Sequence, residues 1–180
     1  MSNNVAVLVG HRSGAQGAYS PWLGMSEFEF NSKVAEKLKD VADIYYRPNT
    51  LFVSEMSRLR KVVNKINKDY YNLVLELHFN SFSDPRAHGV TALHNITNRY
   101  TKRLAGLYCD MVHDEFGIVK RDLIPVTSTR ENGGTFILGC EASALLVEPF
   151  FGSNSQDACA FCGRIDDYAN VLREFIKLAQ

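Results

Sequence analysis

Neither sign of charge prevails in this sequence, and no apolar run is long enough to cross a bilayer. Lys and Arg together number 20, as do Asp and Glu, with no block of either sign. Such a chain has no electrostatic grip on nucleic acid or on an anionic membrane surface. A membrane-spanning helix needs about 20 consecutive apolar residues, and the sequence offers none. The start, Met1-Ser2-Asn3-Asn4 and then a short strand-like run, lacks the basic and apolar segments of a signal peptide. The chain is therefore expected to be made in the cytoplasm. Linkers, repeats and low-complexity tracts are missing too. Cysteine is scarce, and Cys109, Cys140, Cys159 and Cys162 fit a reducing compartment. Cys159 and Cys162 have the spacing of redox and zinc motifs, but no second pair lies close by. Cys162, Ile165, Ala169, Leu172 and Ile176 recur at helical spacing, which assigns Cys162 to a packed face.

What is present is enough apolar content, 46% of 180 residues, to bury a core, and residues 1–180 are expected to form one domain. Val5–His11 reads as a buried strand followed by a Gly-rich loop. Phe30, Val34, Leu38 and Val41 then repeat at helical interval, and Ser26 with Glu29 forms a capping box at the helix start. Residues 42–47 read as a strand. The helix after it, residues 54–69, turns Leu59, Val62 and Ile66 inward. Residues 72–77 and 89–95 are further strands. A helix between them and Gly117 presents Tyr100, Leu104, Leu107 and Met111, and Gly117 is its expected stop. Residues 118–138 are irregular and polar. Residues 143–151 form a last buried strand, and residues 156–180 one terminal helix. This alternation predicts an α/β fold: a single three-layer domain with a largely parallel or mixed central sheet and helices on both faces.

Three of these apolar strands end on a titratable side chain: His11, His78 and Glu148. In open α/β sheets, ligands bind outside the carboxyl ends of the strands. A single histidine at a strand end is commonly structural, and three coinciding ends point to a site. Glu27 adds a further acid at the first turn of the first helix. Glu29 already fills the capping-box position, which leaves Glu27 free of that task. Glu148, between Leu145-Leu146-Val147 and Pro149-Phe150-Phe151, carries a heavy desolvation penalty unless it has a partner or a job. Two histidines and a carboxylate match a catalytic zinc site that keeps a position for water, whose pKa the metal lowers toward neutrality. A further carboxylate, Glu148, is placed to take the water's proton and pass it to a leaving amine. That set suits hydrolysis of an amide or peptide bond.

Those residues, in order, resemble a known family. Gly10-His11 in a first strand, Glu27 at the next helix start, Leu77-His78-Phe79-Asn80-Ser81 at a strand end and Leu146-Val147-Glu148-Pro149-Phe150-Phe151 late in the chain look like the zinc-dependent N-acetylmuramoyl-L-alanine amidases. These are peptidoglycan amidases of cell separation, sporulation and phage lysis. Arg47 resembles the family's Thr-Arg strand end, residues 88–94 its Gly-Val strand, and Ser153-Asn154 with Asp157 the motif after the catalytic glutamate. The resemblance covers nearly the whole chain. It implies one zinc ion per chain held by His11, Glu27 and His78, with Glu148 as catalytic acid/base. Glu27 is favoured over Glu29 because the family's Asn and Ala then fall on Asn31 and Ala35.

The sequence also departs from the family. Arg12 stands where a Gly-Gly-x-Asp run is usual, so it is expected to approach the cleft and alter peptide binding. Phe79 replaces a small residue, and residues 136–143 lack the usual Arg and Pro. Glu141 reads as a surface acid. Arg130 and Asn132, on the loop leading to Glu148, are candidate contacts for a peptide carboxylate or sugar. Tyr19 and Trp22 sit between two ligands, where rings can flank a saccharide, with core packing the simpler reading for Trp22. His94 reads as structural and His113 as exposed. The implied function is cleavage between N-acetylmuramic acid and L-alanine of the stem peptide, in a phage or prophage endolysin acting as a monomer on peptidoglycan after holin-dependent release. A zinc carboxypeptidase-like peptidase, another zinc amidohydrolase and an inactive wall-binding domain are the alternatives.

Overall fold

The computed structural model describes residues 3–179. Its centre is a sheet built from β1 (Val5–Val9), β4 (Asp43–Tyr45), β5 (Leu73–Leu77), β6 (Thr91–Asn95), β7 (Ile124–Val126) and β8 (Ser143–Glu148), in the order β4-β1-β5-β8-β6-β7. β4, β1, β5 and β8 run parallel, and β6 reverses against β8 while β7 runs parallel to β6. The sheet is thus mixed and mostly parallel, as expected. β2 (Tyr19–Ser20) and β3 (Met25–Ser26) form a small antiparallel pair in the loop before α1 (Glu27–Glu36).

Strand alternation divides the core. Val5, Val7, Val9, Leu73, Leu75, Leu77, Leu145 and Val147 face one side, where α1, α3 (Arg99–Phe116) and α6 (Ile165–Leu178) cover them. Ala6, Leu8, Val74, Ala144 and Leu146 face the other, under α2 (Glu55–Ile66) and the short α4 (Gly134–Ile137). The capping box at Ser26 is formed in full, with Glu29 Oε2 accepting from Ser26 N at 2.7 Å. The α2 face is also as expected, with Leu59, Val62 and Ile66 buried. Gly117 ends α3 in a left-handed cap.

Several expectations need correction. The buried side of α3 is Thr101, Leu104, Ala105, Tyr108, Cys109, Val112 and Phe116. Leu107 and Met111 are only partly covered, and Tyr100, 37% exposed, reaches the helix end to donate to Ala179 O. The terminal helix is two helices, α5 (Ser155–Ala160) and α6, because Gly163 turns the chain at φ 70°; Gln180 lies outside the described residues. Cys162 falls in that turn and is exposed, with its thiol donating to Trp22 O at 3.4 Å, so it does not pack. Trp22, at 51% exposure, is not a core residue either. The supposedly irregular stretch after Gly117 contains edge strand β7, with Pro125 inside it, and α4.

Candidate metal centre

The carboxyl ends of β1, β5 and β8 lie side by side, so the side chains that follow them converge. Gly10 leaves β1, and His11 takes a left-handed backbone, φ 63°, which a non-glycine residue adopts only where its surroundings hold it there. Glu27 is the first residue of α1, carried by the capped turn at Ser26. Its carboxylate lies between the two imidazoles: Oε2 is 3.1 Å from His11 Nε2 and Oε1 is 2.6 Å from His78 Nδ1. Ala18 N and Phe79 N also donate to Glu27, each at 3.3 Å, fixing the plane of the carboxylate. Gly17, at φ 75°, passes so close that a Cβ there would lie 2.6 Å from Glu27 Oε2 and from the His11 ring. The two imidazoles meet edge to face, with centroids 5.1 Å apart.

The charges are strongly coupled. Burial works to raise the pKa of Glu27, but hydrogen bonds from His11 and His78 outweigh it and hold the carboxyl at about 2. Burial works to lower His78, but Glu76 and Glu27 on its two sides raise it to about 10. Glu148 goes the other way: burial, joined by the like charge of Glu27, lifts its pKa above the ordinary carboxylate value against the opposing pull of His78. Asn80 Nδ2 donates to Glu148 Oε2 at 2.8 Å and leaves the other oxygen free for a reacting group.

His11, Glu27 and His78 each offer a ligand atom, and these atoms lie within 4.8 Å of one another. Two imidazole nitrogens and a carboxylate oxygen, converging on one point and needing positive charge to balance the acid, fit a divalent zinc ion. Glu148 lines the same cleft, of about 370 Å³, together with Arg47, Glu76, Ser81 and Asn132. Arg130 stands exposed on the loop before α4. Arg12 is drawn to Glu55 at 2.9 Å and Asn49 at 3.1 Å. Phe79 is buried against Phe30 and Phe150. His94 is buried, with Nδ1 3.0 Å from Asn95 O, while His88 and His113 are exposed. Asp157 accepts from Gly89 N and Phe151 N and so ties the segment after Glu148 to the chain entering β6.

Sequence reasoning missed Glu76, and it noted Arg47 only as a strand-end likeness, without this partner. Glu76 is 1% exposed inside β5, and Arg47 Nη2 lies 2.5 Å from its Oε1. The signal was available in the period of two along a strand, which puts Glu76, His78 and Asn80 on one side.

A mixed α/β sheet that gathers three candidate metal ligands and a separate half-buried acid in one cleft suits the class of hydrolases. Residues 5–168 match the family model described as N-acetylmuramoyl-L-alanine amidase, and the chain belongs to that family. This makes it a peptidoglycan amidase at the level of reaction class. Among solved structures, it is similar to the catalytic domain of the CD27L endolysin targeting Clostridia difficile, at 20% identity and a TM-score of 0.80 over 96% of each chain. It is also similar to the Ami1 amidase of Mycobacterium abscessus, at 15% identity and a TM-score of 0.74 over 99% of each chain. An N-acetylmuramoyl-L-alanine amidase from Clostridium difficile 630 aligns at 15% identity, with a TM-score of 0.73, over 99% of this chain and 95% of that one. At these identities the likeness concerns the fold. No curated protein sequence matches the chain.

Proposed function

We propose that the protein is one catalytic domain, residues 1–180, that hydrolyses the amide joining the lactyl group of N-acetylmuramic acid to L-alanine of the stem peptide, with zinc held by His11, Glu27 and His78. The observation that carries this reading is the convergence of those three donors within 4.8 Å, in the cleft that Glu148 also lines. Zinc bound there supplies a Lewis acid that polarises a carbonyl and acidifies water. Glu148 takes a proton from the attacking water and delivers it to the leaving nitrogen. A C–O bond forms as the C–N bond breaks, giving a lactyl carboxylate and a stem peptide with a free L-alanine amine. Burial favours the protonated Glu148 needed for the second half of that cycle, and Asn80 keeps its carboxyl aimed.

Asn132 is assigned to the substrate from its place on the cleft wall. Arg130, two residues before it, and Arg12, beside His11, are the further proposed contacts of stem peptide or glycan. The fold likeness to an endolysin catalytic domain supports a lytic role, with a phage or prophage enzyme reaching the wall through a holin lesion. Among the described residues no helix is long and apolar enough to cross a membrane.

The test is mass spectrometry of digested peptidoglycan, with and without a chelator and with zinc added back. Free stem peptides beginning with L-alanine, lost on chelation and restored by zinc, are expected. Shortened stems still attached to sugar would instead make the enzyme a peptidase.

A further inference from the structure

His78 has two ring nitrogens in two different surroundings. Nδ1 faces Glu27 at 2.6 Å, on the side of His11. Nε2 is turned inward, where a Cβ on Gly10 would lie 2.7 Å from it, and it has no hydrogen-bond partner of normal geometry. Facing it at 3.4 Å is Oε1 of Glu76, two residues back on the same side of β5. A buried carboxylate inside an apolar strand is expensive to keep unless it is paired. Arg47 pairs with it, yet the same oxygen also looks toward the imidazole.

An imidazole that gives its Nδ1 lone pair to a metal must carry its proton on Nε2, and a buried N–H needs an acceptor. We propose that Glu76 is a positioning residue for His78: it accepts the Nε2–H, selects the tautomer whose Nδ1 lone pair faces Glu27 and His11, and is itself held in place by Arg47. Carboxylates behind metal-binding histidines act in this way, and their loss weakens metal retention about 10–100-fold. The role rests on zinc binding at His11, Glu27 and His78. A Glu76 that served only to neutralise Arg47 would leave metal retention untouched once both charges were removed together.

The deciding experiment is transfer of zinc from the loaded protein to an excess of a chromogenic chelator. Arg47→Met/Glu76→Met removes both charges and replaces a buried ion pair by apolar contacts, an exchange that is often neutral or stabilising. Release about 10–100-fold faster than from the parent is expected, with no fall in the melting temperature of the metal-free protein. Glu76→Gln, which keeps an acceptor oxygen in place, is expected to restore most of the retention. Parent-like release from the double variant would overturn the role. Should that variant fail to fold, long-range 1H–15N spectra of the zinc-loaded parent still decide: His78 protonated at Nε2 is expected, and protonation at Nδ1 would overturn the role. A parent that binds no zinc at all would instead overturn the proposed function.

Discussion

The two faces of the sheet are built from the same strands and do opposite things. In β5 and the residues after it, Leu75, Leu77 and Phe79 point to one side and Glu76, His78 and Asn80 to the other. The first side is thick and aromatic. Phe161 stacks on Phe116 at 4.1 Å and on Phe150 at 4.4 Å, and Phe30 packs among Phe79, Phe150, Phe161 and Tyr168. Among the described residues the second side is covered by α2 and the four-residue α4, and the cleft opens past them over the strand ends. Burial on the aromatic side fixes the backbone, while thin cover on the other leaves the cleft open. Stability and chemistry are thereby separated by one residue along a strand.

Variants on each side test that separation. Glu148→Gln should lower turnover about 10²–10⁴-fold, the usual worth of a general acid/base. Its zinc content and melting temperature should match the parent, and retained turnover would remove the acid/base assignment. Phe161→Ala should do the reverse, destabilising by about 3–5 kcal/mol in denaturant unfolding while the folded fraction keeps its specific activity.

The pH–rate profile probes the thin side more finely. Glu148 must be ionised to accept a proton, and its pKa is raised by burial and by Glu27 against His78. Activity should therefore fall with decreasing pH through a value above the ordinary carboxylate one of 4.5. Asn80→Ala, which removes a hydrogen bond that favours the charged form, should move that acid limb higher still. An acid limb that Asn80→Ala leaves unmoved would count against Glu148 as the titrating base. At the seam between the two sides, Ser26→Ala should cost about 1 kcal/mol of stability by opening the N-cap that carries Glu27. Smallest of all, Cys162→Ser should change stability by no more than about 0.5 kcal/mol, as expected of an exposed turn residue.

Strand ends and helix caps were legible in the sequence because each rests on local chemistry. Ser26 with Glu29 predicts the cap that forms, and apolar runs ending on His11, His78 and Glu148 predict the convergence of polar groups. Part of what was hidden depended on partners distant in sequence. The α3 face was misread because Leu107 and Met111 are more apolar than Thr101 and Ala105, yet the small residues are the ones pressed against the sheet. β7 gave almost no signal, since of its three residues only Val126 is buried. Glu76 was passed over as one member of an apolar run, and its meaning depends on Arg47, brought from the loop after β4. Cys162 was read into one continuous helix, whereas α5 stops at Ala160 and α6 starts at Ile165, with Cys162 and Gly163 in the turn between them.

The place of β8 in the sheet has a consequence for how the cleft is completed. β8 lies between β5 and β6, although both precede it in sequence. Without residues 143–148 those two strands share no neighbour and Glu148 has no position, whereas His11, Glu27 and His78 belong to the edge of β1 and β5. A domain folds as a unit, and pairings between strands distant in sequence are the slow ones. The triad and the acid are therefore completed together, when the strand that carries Glu148 bridges β5 and β6 and closes the sheet.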